Sequence, residues 1–148
     1  MAIEIRQYRG EDKDAVIALW QGCGLIVPWN DPQADIRRKV ADSAELFFVG
    51  QRGTRLVASC MAGYDGHRGW IYYLAVEAAE QRRGYARQMI DHVEDRLAAL
   101  GCPKLELMVR NTNVEVSDFY RAIGYVEEPV VVLSKRLLRD EAHGYCQE

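Results

Sequence analysis

The hydrophobic and polar positions of this chain change period several times, and each change marks an element. Ile3 to Tyr8 alternates with a period of two and reads as a strand. From Asp12 to Gln21, Ala15, Val16, Leu19 and Trp20 recur at helical spacing behind the acidic pair Glu11 and Asp12, and Gly22 and Gly24 end the run. Trp29-Asn30-Asp31-Pro32 starts a second helix, with Asn30 or Asp31 as its cap and Pro32 in its first turn. That helix reaches about Ala41, with Ile36 and Val40 facing inward.

Leu46 to Gln51 and Leu56 to Gly63 read as strands around the turn Arg52-Gly53-Thr54. A second turn, Tyr64 to Gly69, leads into Trp70-Ile71-Tyr72-Tyr73-Leu74-Ala75-Val76, whose aromatic and β-branched residues suit a buried strand. Ala86, Met89, Ile90, Val93, Leu97 and Leu100 then follow helical spacing, with Gly101 at the C-cap. Lys104 to Val109 reads as a strand, and Val114 to about Ile123 as a helix closed by Gly124. Tyr125 to Glu128 and Val130 to Leu137 read as two last strands, with Pro129 between them. The order β-α-α-β-β-β-α-β-α-β-β predicts an α/β (α+β mixed) fold, a mixed sheet of about seven strands with helices on both faces.

The chain has 148 residues, room for one core, so residues 1–148 are expected to form a single domain. A net charge of −3 does not suggest a nucleic-acid partner. No apolar run approaches the ~20 residues of a membrane helix, and the start Met1 to Arg6 lacks a signal-peptide core. Cys23, Cys60, Cys102 and Cys146 have neither C-x-x-C spacing nor neighbouring histidines. Reduced thiols, no metal site and a cytoplasmic location are the expectation.

One segment carries specific chemistry. Gln81-Arg82-Arg83-Gly84-Tyr85-Ala86 sits between a buried strand and an amphipathic helix. A strand, a glycine-bearing turn and a helix aim unpaired backbone N–H groups and the positive end of a helix dipole at one point, which suits a phosphate. Arg82, Arg83 and Arg87 add positive charge there, and Gly84 admits a close approach to the backbone. The chain has neither G-x-x-x-x-G-K-[ST] nor a G-x-G-x-x-G behind a strand.

The segment resembles the Q/R-x-x-G-x-G/A loop of the GNAT superfamily of acetyl-CoA-dependent N-acetyltransferases. Downstream by a helix and a strand, Val109 to Asn113, Phe119-Tyr120 and Ile123-Gly124-Tyr125 resemble that family's V-x-x-x-N…[LF]-Y-x-x-x-G-[FY] segment. Pro28 to Pro32, Gly63 to Gly69 and Gly101 to Lys104 look like its bacterial YpeA-type branch, which implies the reaction and not the acceptor. The resemblance implies a pantetheine arm lying along Leu74, Ala75 and Val76, between parallel strands that splay apart. It also implies a pyrophosphate held by Arg82, Arg83, Gly84, Tyr85, Ala86 and Arg87, and an Asn113 contact to the cofactor. Tyr120 would sit near the sulfur and protonate the leaving thiolate.

One position departs from the family. Enzymes that acetylate ribosomal protein N-termini carry a glutamate base where this chain has Met108. Glu106, two residues earlier on the same strand face, is a candidate substitute through a water, or else a solvated carboxylate. Tyr72 and Tyr73 are further candidates near the splay. By resemblance the acceptor pocket is walled by Trp29, Asn30, Asp31, Asp65, His67 and Arg68, with Tyr72 nearby, although Asn, Asp and Gly also serve turns and caps. The expected partners are acetyl-CoA and an amine, with a homodimer suggested by the apolar C-terminal strands. A non-catalytic acyl-CoA sensor of the same fold is the alternative.

Overall fold

A computed structural model describes residues 2–145. Five strands form one sheet in the order β1 (Glu4–Gln7), β2 (Phe47–Arg52), β3 (Arg55–Tyr64), β4 (Gly69–Val76) and β5 (Leu105–Leu107). The first three pairings are antiparallel and the β4–β5 pairing is parallel. Four α-helices complete the fold: α1 (Lys13–Gly22), α2 (Pro32–Ser43), α3 (Tyr85–Ala99) and α4 (Val114–Ala122). The mixed sheet flanked by helices agrees with the reading from periodicity.

The two faces of the sheet bury different sets. Val16, Ile17, Leu19 and Trp20 of α1 and Ile36 of α2 pack with Phe47, Val49, Met61 and Ala75 on one face. Met89, Ile90, Val93 and Leu97 of α3 pack with Phe48, Val57, Ile71 and Val76 on the other, joined by Tyr120 of α4. In β2 these are alternate residues, so the two-residue period of the strand decides which helix each side chain meets. Outside the core, Arg6 of β1 makes a two-pronged bond to the mostly buried Asp12 at 2.8 Å, fixing the entry to α1. That bond holds the Asp12 carboxyl below its ordinary range.

Three readings need correction. Val40 lies on the exposed side of α2 rather than inward, because the helix buries only its first two turns. The strand at 104–109 shortens to Leu105–Leu107, since pairing with β4 stops there. Neither Tyr125 to Glu128 nor Val130 to Leu137 forms a strand, so the sheet has five strands and not about seven. The apolar pattern of 130–133 suits a strand, but within one chain no neighbour pairs with it, and Val131 (84%) and Leu133 (90%) are exposed. The chain instead runs on as an arm across α2. Asp140 bonds the Asp31 N–H at 2.9 Å and the Arg38 guanidinium, and His143 meets the Val27 carbonyl at 3.0 Å.

Cys23, Cys60 and Cys102 are free thiols, and Cys146 lies outside the described residues. Burial pushes the Cys60 thiol up to about 12, which makes it inert at neutral pH. Among the described residues no helix is long and apolar enough to cross a membrane.

Candidate active site

The site begins where two strands part. β4 and β5 pair only from Gly69 opposite Leu105 to Ile71 opposite Leu107. β4 then runs on to Val76, so its later backbone is left unpaired on the β5 side. The cause is local. Ile71 and Leu74 both pack on the α3 face, whereas Tyr73 and Ala75 pack on the α1 face, so the alternation slips by one residue. Tyr73 absorbs the slip with a positive φ of 53°, and the β3–β4 register shifts between Ser59 and Met61. Its carbonyl accepts a hydrogen bond from Ser59 Oγ at 3.0 Å, which in turn accepts one from Trp20 Nε1 at 2.9 Å.

The phosphate-directed loop lies past the open end of β4. Gln81 donates from its side-chain amide to the Val76 carbonyl at 3.0 Å, tying the loop to the strand end. Arg82 and Gly84 both have positive φ, 65° and 81°. Gly84 is the N-cap of α3, and no side chain caps this helix. The first intrahelical bond runs from the Gln88 N–H to the Gly84 carbonyl at 3.1 Å, leaving the preceding amides to a ligand.

A Cβ built on Gly84 meets nothing within 4 Å, so the space beside the loop is open. Arg82, Arg83 and Arg87 are all exposed. Arg83 reaches the buried Glu80 at 3.4 Å, a carboxylate that also takes Arg52 and Arg55. Among the described residues Arg82 and Arg87 have no acidic partner at ion-pair distance. This cradle suits an anion such as a pyrophosphate. Tyr85 turns its side chain into the core, 2% exposed, so only its backbone borders the loop. Ala86 is half-buried in the first turn of α3.

α4 stands on the same side as α3. Asn113 is its N-cap and accepts from the Val116 N–H at 3.3 Å. Tyr120 is 7% exposed and packs edge-on against Phe119 and Tyr125. Burial, with Cys60 close by, pushes its phenol well above the ordinary tyrosine range, so it is fully protonated at neutral pH.

The acceptor-wall residues fall into two groups. Trp29 (52% exposed), Asn30 and Asp31 precede α2, and Asp31 caps it by accepting from the Gln33 N–H at 2.9 Å. Arg136 of the C-terminal arm reaches Asn30 Oδ1 at 3.3 Å. Asp65, His67 and Arg68 form the β3–β4 turn, where Asp65 accepts from both the His67 and Arg68 N–H groups at 2.8 Å. Those two bonds hold its carboxyl below the usual range.

The structure does not bring the groups together. Lys39, two turns into α2, already bonds the carbonyl of Ala62, so the helix separates its cap from the turn. Glu106 belongs to the turn group, opposite Trp70 and ion-paired to Arg68 Nε at 3.2 Å. Met108 is 53% exposed just beyond β5, and Tyr72 is exposed at the splay.

Sequence reasoning missed Asp35. It lies on the first turn of α2 and accepts from the Tyr73 hydroxyl at 2.6 Å. An acidic residue in a first turn is ordinary in any helix, so nothing in the local sequence marks it.

The profile of the Acetyltransferase (GNAT) family matches residues 12–125, from the start of α1 past α4. The chain belongs to this family. An acetyltransferase of Yersinia pseudotuberculosis is 43% identical over 141 residues, which covers 95% of this chain and all of the relative. One of Sodalis glossinidius is 44% identical over 142 residues, with the same coverage. Among solved structures, AAC(6')-Iy in complex with a bisubstrate analog superposes with a TM-score of 0.74 at 19% identity, covering 92% of this chain and 99% of that one. The Escherichia coli ribosomal-protein-S18-alanine N-acetyltransferase gives 0.72 at 20% identity, covering 85% and 79%. This protein is an acetyl-CoA-dependent acetyltransferase, and the cradle at the head of α3 fits the anionic end of that cosubstrate.

Proposed function

We propose that this chain, as one domain over residues 1–148, transfers acetyl from acetyl-CoA to a primary amine of a small molecule or peptide by direct attack in a ternary complex. The observation that carries the reading is the parting of β4 from β5 beside an uncapped α3. Past the end of the β5 pairing, the backbone of Leu74, Ala75 and Val76, apart from the Val76 carbonyl that Gln81 holds, offers the pantetheine amides a strand-like partner. Arg82, Arg83 and Arg87, with the Gly84, Tyr85 and Ala86 amides, hold the pyrophosphate. Asn113 faces the cosubstrate from α4, a role that rests on the family resemblance.

The residues then divide the chemistry. A backbone N–H near Val76 polarises the thioester carbonyl. An amine of lysine type, with a pKa of ~10.4, must lose a proton before its nitrogen can attack. The C–S bond breaks with its electron pair going to sulfur, and Tyr120 gives that sulfur a proton. Burial of the sulfur raises its own proton affinity, which narrows the gap to the phenol. Met108 fills the family's base position and cannot take a proton, and Glu106, two residues earlier, is a candidate substitute through a water. Trp29, Asn30, Asp31 and Tyr72 shape the acceptor pocket. Asp65 and His67, at the far end of α2, meet only an acceptor as long as a peptide.

Acetyl-CoA turnover across a panel of diamines, aminoglycosides and short peptides tests the reading. Tight CoA binding with no turnover of any of them would favour a sensor instead. Asp31 separates two roles within the same assay. Asparagine keeps most of a cap's stabilisation of about 1 kcal/mol but loses the charge. Asp31→Asn is therefore expected to raise the acceptor KM several-fold at an unchanged melting temperature. An unchanged KM would leave Asp31 as a cap alone.

We also propose a cytoplasmic enzyme, on the strength of the free thiols, and one that works as a homodimer. Residues 130–133 are exposed and apolar, three of them β-branched, and β5 is an open sheet edge. Light scattering is expected to give twice the mass of the chain, with Val131→Lys returning it to a monomer. A monomeric wild type would rule the dimer out.

A further inference from the structure

We propose that Asp35 is the proton acceptor of the acetyl transfer and that Tyr73 is its positioning residue. This rests on the transferase reading above and goes beyond it by naming a base that family spacing does not supply.

The placement comes from the slip in β4. The positive φ of Tyr73 turns its side chain onto the α1–α2 face at the point where β4 leaves β5. The ring stacks on Trp20 with centroids 3.9 Å apart and planes 12° from parallel. Trp20 bonds Ser59, and Ser59 bonds the Tyr73 carbonyl, so the tyrosine is held at its ring and at its backbone. Its hydroxyl then donates to Asp35 Oδ2 at 2.6 Å. The carboxylate therefore stands one tyrosine side chain away from the backbone that Leu74 to Val76 offer the thioester, on the sheet face opposite α3. The Asp35 side chain keeps 22% of its surface exposed on that face, which leaves it open to an amine.

The surroundings suit a base. Burial pushes the Asp35 carboxyl above the ordinary aspartate range, and Asp140 of the arm and Asp31 of the cap add to the rise. The Tyr73 bond and Arg38 oppose it. Arg38 lies 3.2 Å from Asp35 but is shared with Asp140, so it does not neutralise Asp35 alone. Glu106, by contrast, is paired with Arg68 beside a stretch where the strands are still joined.

In the reaction the ammonium N–H bond breaks, its proton goes to Asp35, and the freed nitrogen pair forms the bond to the thioester carbon. The C–S bond then breaks onto sulfur, which receives the Tyr120 proton. The second nitrogen proton leaves as the amide forms and restores Tyr120. Overall the ammonium gives up two protons, one ending on the thiol of CoA and one passing from Asp35 to solvent.

The test uses the full chain with acetyl-CoA and two probe acceptors, 1,4-diaminobutane and a lysine-containing tripeptide. Thiol release and the mass of the acetylated product are read together. Asp35→Asn keeps the shape and still accepts the Tyr73 bond, so its melting temperature and CoA affinity are expected to stay near wild type. Its kcat is expected to fall about 10²-fold, within the range for a positioned base.

The pH profile separates a base from a structural residue. Wild-type kcat is expected to rise with pH through an acidic limb set by Asp35. Tyr73→Phe removes a bond that favours the ionised carboxylate, so the limb moves to higher pH. Glu106→Gln is the competing arm, because it abolishes the limb only where that carboxylate takes the proton. A kcat within a few-fold of wild type in Asp35→Asn, or a limb that disappears in Glu106→Gln instead, overturns this assignment and leaves the transferase reading standing. A wild type that binds acetyl-CoA but acetylates neither probe overturns both.

Discussion

In the Tyr120→Phe variant kcat is expected to fall by ~10²–10⁴-fold, the range for a positioned acid, while acetyl-CoA affinity stays near normal. The phenol is buried beside Phe119 and Tyr125, and phenylalanine keeps that packing. Only the hydroxyl is lost. Because burial keeps Tyr120 protonated far above neutral pH, the loss is expected to be the same at pH 6 and pH 9. Stopped-flow thiol release with calorimetry of CoA binding checks both halves. A drop of less than a few-fold would hand the proton to a water or to another donor.

Replacing Gly84 with valine is expected to weaken CoA binding by tenfold or more with little change in melting temperature. Its φ of 81° costs an L-residue roughly 1–2 kcal/mol, and a β-branched one the more. The loop escapes that strain by rotating, which carries the amides of the α3 N-terminus away from the pyrophosphate. A valine that did hold the conformation would set its methyls in the open space where the ligand approaches. One factor of ten is 1.4 kcal/mol, so strain alone reaches the expected effect. The glycine is exposed and packs against nothing, which is why stability should hold. Gly84→Ala is expected to fall between the two. Unchanged calorimetric affinity in the valine variant would move the pyrophosphate off this loop.

Much of the framework was legible from residue order alone, for reasons that act within a few residues. Period-two alternation placed β1, because a strand must show alternate side chains to opposite faces, while the turn at 52–54 placed β2 and β3, and aromatic and β-branched content placed β4. Helical spacing placed α1 and α3, and Asp31-Pro32 marked the start of α2 through a cap that the structure contains. The course of the loop at 81–86 was legible because Gly84 stands directly before a helical repeat and behind a strand, and the structure has it as the N-cap of α3. Composition excluded a membrane-length helix by the same local reasoning.

What the chain alone did not decide depends on distant partners. Residues 130–133 have the β-branched pattern of a strand, yet a strand exists only where an edge pairs with it, and within one chain none does. Trp29 to Asp31 and Asp65 to Arg68 read as one pocket wall, but the length of α2 holds them apart. Asp35 gave no local signal at all. Its distinction comes from a single-residue slip in β4, which turns Tyr73 toward α2, and from the burial that follows. Local periodicity specifies which elements form, because their hydrogen bonds and side-chain faces repeat over neighbouring residues. Which carboxylate meets which tyrosine is decided only when the sheet registers and the helices close over it, bringing together groups 38 positions apart in the chain.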